Sequence, residues 1–342
     1  MFAPKVESTI ISYSNSIKKE IKPMKNRTFT QLLKQLEKLT FDQSKKAQEY
    51  LHRKCTVESM EDTIGTVKSC PYCHSDSFHK WGVRSGLQRY RCKTCHKTFN
   101  LLTLTPLARL QHKEQWLKYA QDLKDGRSIR ASAVDCHIHP STSFRWRHRM
   151  LQIPHKTKAD HLSGIVELDE TYFLESRKGE RNLDREPRKR GGKASQRGIS
   201  DEQTAVLIVR DRSGKTTDAI LEKSNQDTIA EVIVSAVERD ALLCSDTKPV
   251  YKAFANAYHF TLETINLSKN EHTNGIVHVQ NVNAYDSRLK LWIKRFHGVS
   301  TKYLASYLGW MRLLDREKNI TAKQLLAVFG QRGMICQPLV RT

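Results

Sequence analysis

The sequence predicts an α/β protein: a mixed-sheet domain in the second half, preceded by a small cysteine-rich ribbon and a helical segment. Three observations predict it. From Gly164 onward, apolar runs of strand length alternate with segments whose apolar residues recur three and four apart. Upstream, two Cys-x-x-Cys pairs lie in short, strand-like sequence at 66–100. Between that ribbon and Gly164, residues 106–155 carry aromatic and aliphatic positions at helical spacing. The expected parts are therefore 1–65, a polar and helical lead-in, then 66–100, 106–155 and 164–315, and a C-terminal tail at 316–342.

In the lead-in, Phe29, Leu32, Leu33, Leu36 and Leu39 keep helical spacing, which reads as packing. In the ribbon, Cys70, Cys73, Cys92 and Cys95 form a C-x2-C-x18-C-x2-C pattern, with Arg84-Ser85-Gly86 able to turn a hairpin between the pairs. Zn²⁺ takes four soft ligands in a tetrahedron, and each pair supplies two thiolates, so zinc is expected. Both pairs are also followed by His, at His74 and His96, which formally matches a haem-attachment motif. Cys55, Cys136, Cys244 and Cys336 have no partner spacing and read as inert thiols.

The helical segment divides at His137-Ile138-His139-Pro140. Ser128 can cap the helix before it, and Ser141 or Thr142 the helix after it, Phe144 to Leu151. That second helix carries Arg145, Arg147 and Arg149 with His148, the equipment of a helix-turn-helix reader of the DNA major groove. An ordinary helical hairpin with a solvated basic face is the alternative.

In the last region, strands are expected at 165–173, 204–210 and 217–222. A helix capped by Asn225 should run to Arg239, then a short buried strand, 241–244, leads to Asp246. A helix at 250–257, a strand at 260–265 and a long helix at 279–296 complete the order β-β-β-α-β-α-β-α, which matches the ribonuclease H-like fold.

Charge bounds the partner. Lys and Arg number 58 against 36 Asp and Glu, a net charge of +22. Such an excess points to a polyanion, because every neutralised phosphate releases counterions. No stretch approaches the roughly 18 apolar residues of a membrane helix, so no membrane partner is expected. Met1 to Lys25 lacks the apolar core of a signal peptide, so a reducing cytoplasm is expected. Residues 177–197 carry nine Lys/Arg against three acids, including Arg188, Lys189, Arg190 and Lys193. They read as a solvated loop that orders on DNA.

Two carboxylates end strands: Asp169 in Glu167-Leu168-Asp169-Glu170-Thr171, and Asp246 after Cys244-Ser245. On neighbouring strands they could share divalent metal, for which Mg²⁺ is suited. Taken alone, each reads more readily as a loop residue or a helix cap than as a metal ligand.

The run from Gly164 to Phe173 resembles the first catalytic segment of a bacterial insertion-sequence transposase family with a zinc ribbon before a DDE-type domain. Arg188 to Lys193, the strand Val206 to Val209 with Asp211-Arg212-Ser213-Gly214, and Cys244-Ser245-Asp246 with Tyr251 resemble it too. So do Arg89 to Cys92 and Lys97 to Asn100 of the ribbon. The resemblance spans roughly residues 66–315. It implies a metal-dependent enzyme that binds the terminal inverted repeats of its own element, nicks them, and joins the freed 3′-hydroxyl to target DNA. It also implies Mg²⁺ or Mn²⁺ held by Asp169 and Asp246, double-stranded DNA as partner, and a homo-oligomer on that DNA.

The family's third segment reads His-Thr-Asn-x-Ile-Glu-Gly-Phe-Trp-Ser-x-Leu-Lys. Here His278 to Lys290 occupies it, with Asn283 where the family has Glu and Asp286 where it has Trp. Asn283 is thus the expected third ligand and Lys290, on nearly the same helix face, a phosphate contact. Asp286, one turn on, is the rival. A zinc-ribbon DNA-binding regulator, or a degenerate transposase that binds without cutting, remains the alternative function.

Overall fold

A computed structural model describes residues 24–332, apart from 189, 190, 197, 199, 266–272 and 274. The chain divides into two compact units, residues 1–55 and 56–342. In the first, α1 (Asn26–Leu36) buries none of its residues, and the start of α2 (Phe41–Ile64) follows it. Phe29, Leu32 and Leu33, expected to pack, are exposed instead. Two short helical pieces hold too few residues to enclose a core of their own.

The second unit begins with a three-stranded antiparallel ribbon, β1 (Phe78–Arg84), β2 (Leu87–Cys92) and β3 (Thr98–Asn100). Arg84 pairs with Leu87 across a two-residue turn in which Ser85 (φ 51°) and Gly86 (φ 79°) are both left-handed. That turn suits the twist of the flanking strands, and Gly86 takes its conformation without steric cost. Phe78, Tyr90 and Phe99 pack edge-on and stacked beside Cys70 and Cys92.

Four helices follow: α3 (Trp116–Lys124), α4 (Ile129–Asp135), α5 (Pro140–Met150) and α6 (Gln152–Lys156). Ser128 caps α4, its side chain accepting from the Ala131 N–H. For α5 the cap is His139 and not Ser141 or Thr142, with Nδ1 accepting from the Ser141 N–H at 3.2 Å. The helix starts earlier because Pro140 has the φ that a first helical position needs and no N–H to leave unpaired.

The main sheet contains β4 (Ile165–Leu174), β5 (Gln203–Asp211), β6 (Thr216–Leu221), β7 (Leu242–Asp246) and β8 (Thr261–Ile265). Its spatial order is β6-β5-β4-β7-β8. The first three strands form an antiparallel meander, while β7 and β8 run parallel to β4. With α7 (Gln226–Ala236), α8 (Pro249–Tyr258) and α9 (Gln280–Lys294) between and after them, this is the ribonuclease H-like arrangement. Asn225 caps α7 as its sequence suggests, although the helix stops at Ala236.

Alternation along the strands makes two apolar faces. Val166, Leu168, Leu207, Val209 and Leu243 meet α7 and α8 through Ile229, Ile233 and Phe254. Val206, Ile208 and Cys244 meet α9 through Val282, Tyr285 and Leu289. The second core does not end at the sheet. It runs on through Trp310 of α10 (Leu304–Arg316) and Leu325 and Phe329 of α11 (Ala322–Phe329) into Trp116, Tyr119, Trp146 and Met150 of the helical segment.

Two details show how tight that junction is. A Cβ placed on Gly309 would stand 2.6 Å from the backbone of Pro154 and His155, so α10 and α6 touch main chain to main chain. Beside it, buried Arg312 pairs with Asp218 of β6 and donates to the carbonyls of Pro154 (2.9 Å) and His155 (3.2 Å). The expected tail is corrected as well: Thr321 and Gln324 form a capping box for α11, whose Leu325, Leu326 and Phe329 are buried.

Candidate active site and nucleic-acid interface

β4 and β7 pair in parallel from Ile165↔Leu242 to Glu167↔Cys244. Carried two residues further, that register brings Asp169 level with Asp246. Both lie on the face that α9 covers, because Cys244 packs there and alternate residues share a face. The Asp169 carboxyl is pushed up to about 6, first by burial and then by the charges of Asp246 and Asp286, with Lys248 opposing. Three acids from β4, β7 and α9 therefore share one electrostatic neighbourhood, with Lys248 and Lys290 at its edge.

Asp286 is half-buried, and its Oδ2 receives Lys290 Nζ at 2.7 Å. Its Oδ1 is buried and has no hydrogen-bond partner. Asn283, half-buried, lies one turn earlier on α9. The unpartnered Oδ1 of Asp286 leaves one hard oxygen acceptor free on the α9 acid whose charge is felt at Asp169.

Two buried glutamates flank Asp169. On the same strand face, Glu167 has no exposure and accepts from Arg212 Nε, Asn281 Nδ2 and the Val282 N–H, each at 2.9 Å. On the opposite face, Glu170 pairs with Lys248 and accepts from Ser224 Oγ at 3.1 Å. Lys248 Nζ also stands 3.6 Å from Asp246 Oδ2. These contacts escaped sequence reasoning. The available signal was Glu167-Leu168-Asp169-Glu170 itself: acids inside an apolar strand must have partners, since an unpaired buried charge is too costly.

In the ribbon, Sγ of Cys70 lies 3.6 Å from that of Cys95, and Cys73 lies 3.5 Å from Cys92. All four ligand atoms fall within 4.8 Å of one another. A tetrahedron with metal–sulfur bonds of about 2.3 Å has edges of about 3.8 Å, so the cluster can hold such an ion. The Cys95 N–H, aimed at Cys92 Sγ at 3.5 Å, leads the influences that lower the Cys92 thiol to about 6.

The basic residues of α5 divide. Arg145 is exposed and Arg149 half-buried. Burial, followed by the neighbouring charges of Arg109 and Arg145, lowers the Arg149 guanidinium from its ordinary value. Arg147, expected to face DNA, is corrected by the structure. It is fully buried, donates to the Arg127 carbonyl at 2.7 Å, and lies 5.1 Å from the ring centre of Trp310. The helical period turns it inward with Trp146 and Met150. In the loop after β4, Arg188 is engaged with the Glu175 carbonyl and Glu202, while Lys193 is exposed. Lys189 and Arg190 lie outside the described residues. Among the described residues no helix is long and apolar enough to cross a membrane.

Residues 161–312 match the family described as the ISXO2-like transposase domain. An uncharacterised protein of the transposable element ISH50 from Halobacterium salinarum is 27% identical over 248 residues, covering 71% of this chain and 84% of that protein. Two solved structures also match. The pre-cleavage Mos1 transpososome is 12% identical, covers 63% of this chain and 78% of its own, and has a TM-score of 0.20. The Mos1 strand transfer complex is 14% identical, covers 63% and 77%, and has a TM-score of 0.22. Over residues 161–312, the α/β part of this chain is thus similar to the ISXO2-like transposase domain.

Proposed function

We propose that the protein is a DNA transposase that binds the terminal inverted repeats of its own element and catalyses metal-dependent strand cleavage and strand transfer. The observation that carries the reading is the meeting of Asp169 and Asp246 on adjacent parallel strands, where burial and mutual repulsion raise the Asp169 carboxyl to about 6. Asp169 and Asp246 would hold Mg²⁺ or Mn²⁺, and α9 would supply the third ligand. When bound, the ion supplies charge neutralisation at the attacked phosphodiester.

The protein's own residues do the rest. Burial keeps the Asp169 carboxylate ionised only at a cost in desolvation, which a cation offsets. Asn283 takes the third position by sequence, its amide oxygen being a neutral ligand for a hard ion. Asp286 is the second reading, favoured by its unpartnered Oδ1 and by its field at Asp169. Lys290, now on Asp286, would turn to a DNA phosphate. Zinc in the four-cysteine cluster would fix the ribbon, and Arg145, Arg149 and Lys193 would meet DNA on which copies of the chain assemble.

The test is cleavage of labelled duplex carrying the element's own flanks, with end binding measured separately. Asp169→Asn and Asp246→Asn should each lower cleavage at least about a hundredfold while binding persists. Normal cleavage by either variant would remove the site from this position. End binding without any cleavage by the unaltered protein would identify a transposase that binds but no longer cuts. Asn283→Ala and Asp286→Ala, compared across Mg²⁺ and Mn²⁺ titrations, decide the third ligand: the one whose loss abolishes cleavage holds it.

A further inference from the structure

We infer that Glu167 is a positioning residue: it caps the first turn of α9 from β4 and so sets the distance between Asp169 and the ligands that α9 offers. The inference rests on the proposed metal site, but its evidence is separate. α9 begins after Val279, a residue with no side-chain cap; the Gln280 N–H turns back to His278 Nδ1 at 3.3 Å, and the Val282 N–H needs a partner from another element. Glu167 Oε2 takes the Val282 N–H at 2.9 Å, the third N–H of the helix, and its Oε1 takes Asn281 Nδ2 at 2.9 Å. A carboxylate at a helix N-terminus is favoured by the helix dipole as well as by the hydrogen bonds.

The charge is balanced by Arg212 from the end of β5, with Nε 2.9 Å from Oε1. Arg212 also donates to the carbonyls of Ile276 (3.0 Å) and His278 (3.4 Å), so it holds the segment leading into α9 as well. A single side chain therefore joins three elements. The geometry is short on both sides: Glu167 lies two residues from Asp169 on the same strand face, and Val282 immediately precedes Asn283. Asp169 and the α9 ligands are linked through one layer of hydrogen bonds, with no flexible segment between them.

Glu167→Gln keeps the shape and removes the charge, and its amide NH₂ meets donors on one side. Asn281→Ala, at an exposed position, removes one contact and leaves the fold safe. Two readouts are taken on the full chain: amide hydrogen exchange of the peptide spanning 279–285, and Mn²⁺ binding followed by loss of the free-ion electron paramagnetic resonance signal. Both variants should exchange faster in that peptide than the unaltered protein. Glu167→Gln should weaken Mn²⁺ binding about tenfold or more, and Asn281→Ala by less.

Unchanged exchange at 279–285 would overturn the capping role. Faster exchange with unchanged Mn²⁺ affinity would make Glu167 merely structural and would equally overturn the inference. If the unaltered protein binds no Mn²⁺ that Asp169→Asn removes, the metal-site reading itself fails, whatever the exchange data show, and the positioning role falls with it.

Discussion

His148 offers a pH dependence whose size follows from its surroundings. Its ring lies 3.9 Å, centre to centre, from Tyr303 and 4.1 Å from Phe144, and its Nδ1 donates to the Phe144 carbonyl at 2.8 Å. Burial, then the charges of Arg147 and Lys302, push the imidazole down to about 4, against the hydrogen bond to Phe144. An unfolded histidine titrates at about 6.5, so between about pH 6.5 and 4 the unfolded chain binds the proton and the folded chain does not. The folded-state value is depressed, so the stabilisation is fully present above about pH 6.5 and is lost as pH falls towards 4. At about 1.4 kcal/mol per pKa unit the total is about 3 kcal/mol, of which about 2 kcal/mol has gone by pH 5. Other groups titrate too, so the measurement is a comparison. Denaturant unfolding of the native protein and of His148→Leu is followed at about pH 8 and about pH 5. The native protein should lose about 2 kcal/mol more than the variant over that interval. Equal losses would mean that the imidazole is solvated and that the α5–Tyr303 packing is not as described.

Metal analysis should find about one zinc per chain, and Cys92→Ser with Cys95→Ser should abolish it and unfold the ribbon. Full retention of zinc would place the metal elsewhere. Arg147→Ala should cost about 3 kcal/mol of stability by opening a cavity under Trp310, with end affinity of the folded protein unchanged. Arg145→Ala with Arg149→Ala should instead leave the melting temperature unchanged and weaken end-specific binding about tenfold. Reversed outcomes would return Arg147 to the DNA surface.

The strands were readable because their burial is extreme: Val206 to Val209 is wholly enclosed, and a run of four apolar residues can hide nowhere else. The order of elements along the chain followed from the alternation of their periodicities. The cysteine pairs were readable because their spacing is itself the chemistry. Arg147 was misread for a different reason. A helix with arginines at 145, 147 and 149 has no uniformly basic face, since alternate positions lie about 200° apart, and the aromatic partners that hold Arg147 come from distant sequence, Phe296 and Trp310. The tail was missed likewise: the capping box at Thr321 was visible, but the α3 surface that α11 covers is some two hundred residues away. Glu167 and Glu170 illustrate the same limit, their partners Asn281, Val282 and Lys248 being set by topology and not by local pattern.

The backbone contact of Gly309 with His155 has a mechanical meaning. A junction closed to a single methyl group, and locked by Arg312 on both sides, leaves no hinge between α3–α6 and the sheet. DNA gripped by α5 would meet Asp169 and Asp246 at a fixed offset, so the protein would measure its cut from the recognised bases as a rigid gauge. One base pair inserted between the two would move the scissile phosphate about 3.4 Å along the helix and about 35° around it. A gauge without a hinge cannot follow that movement, and the cut would stay in register with the grip and not with the end of the element.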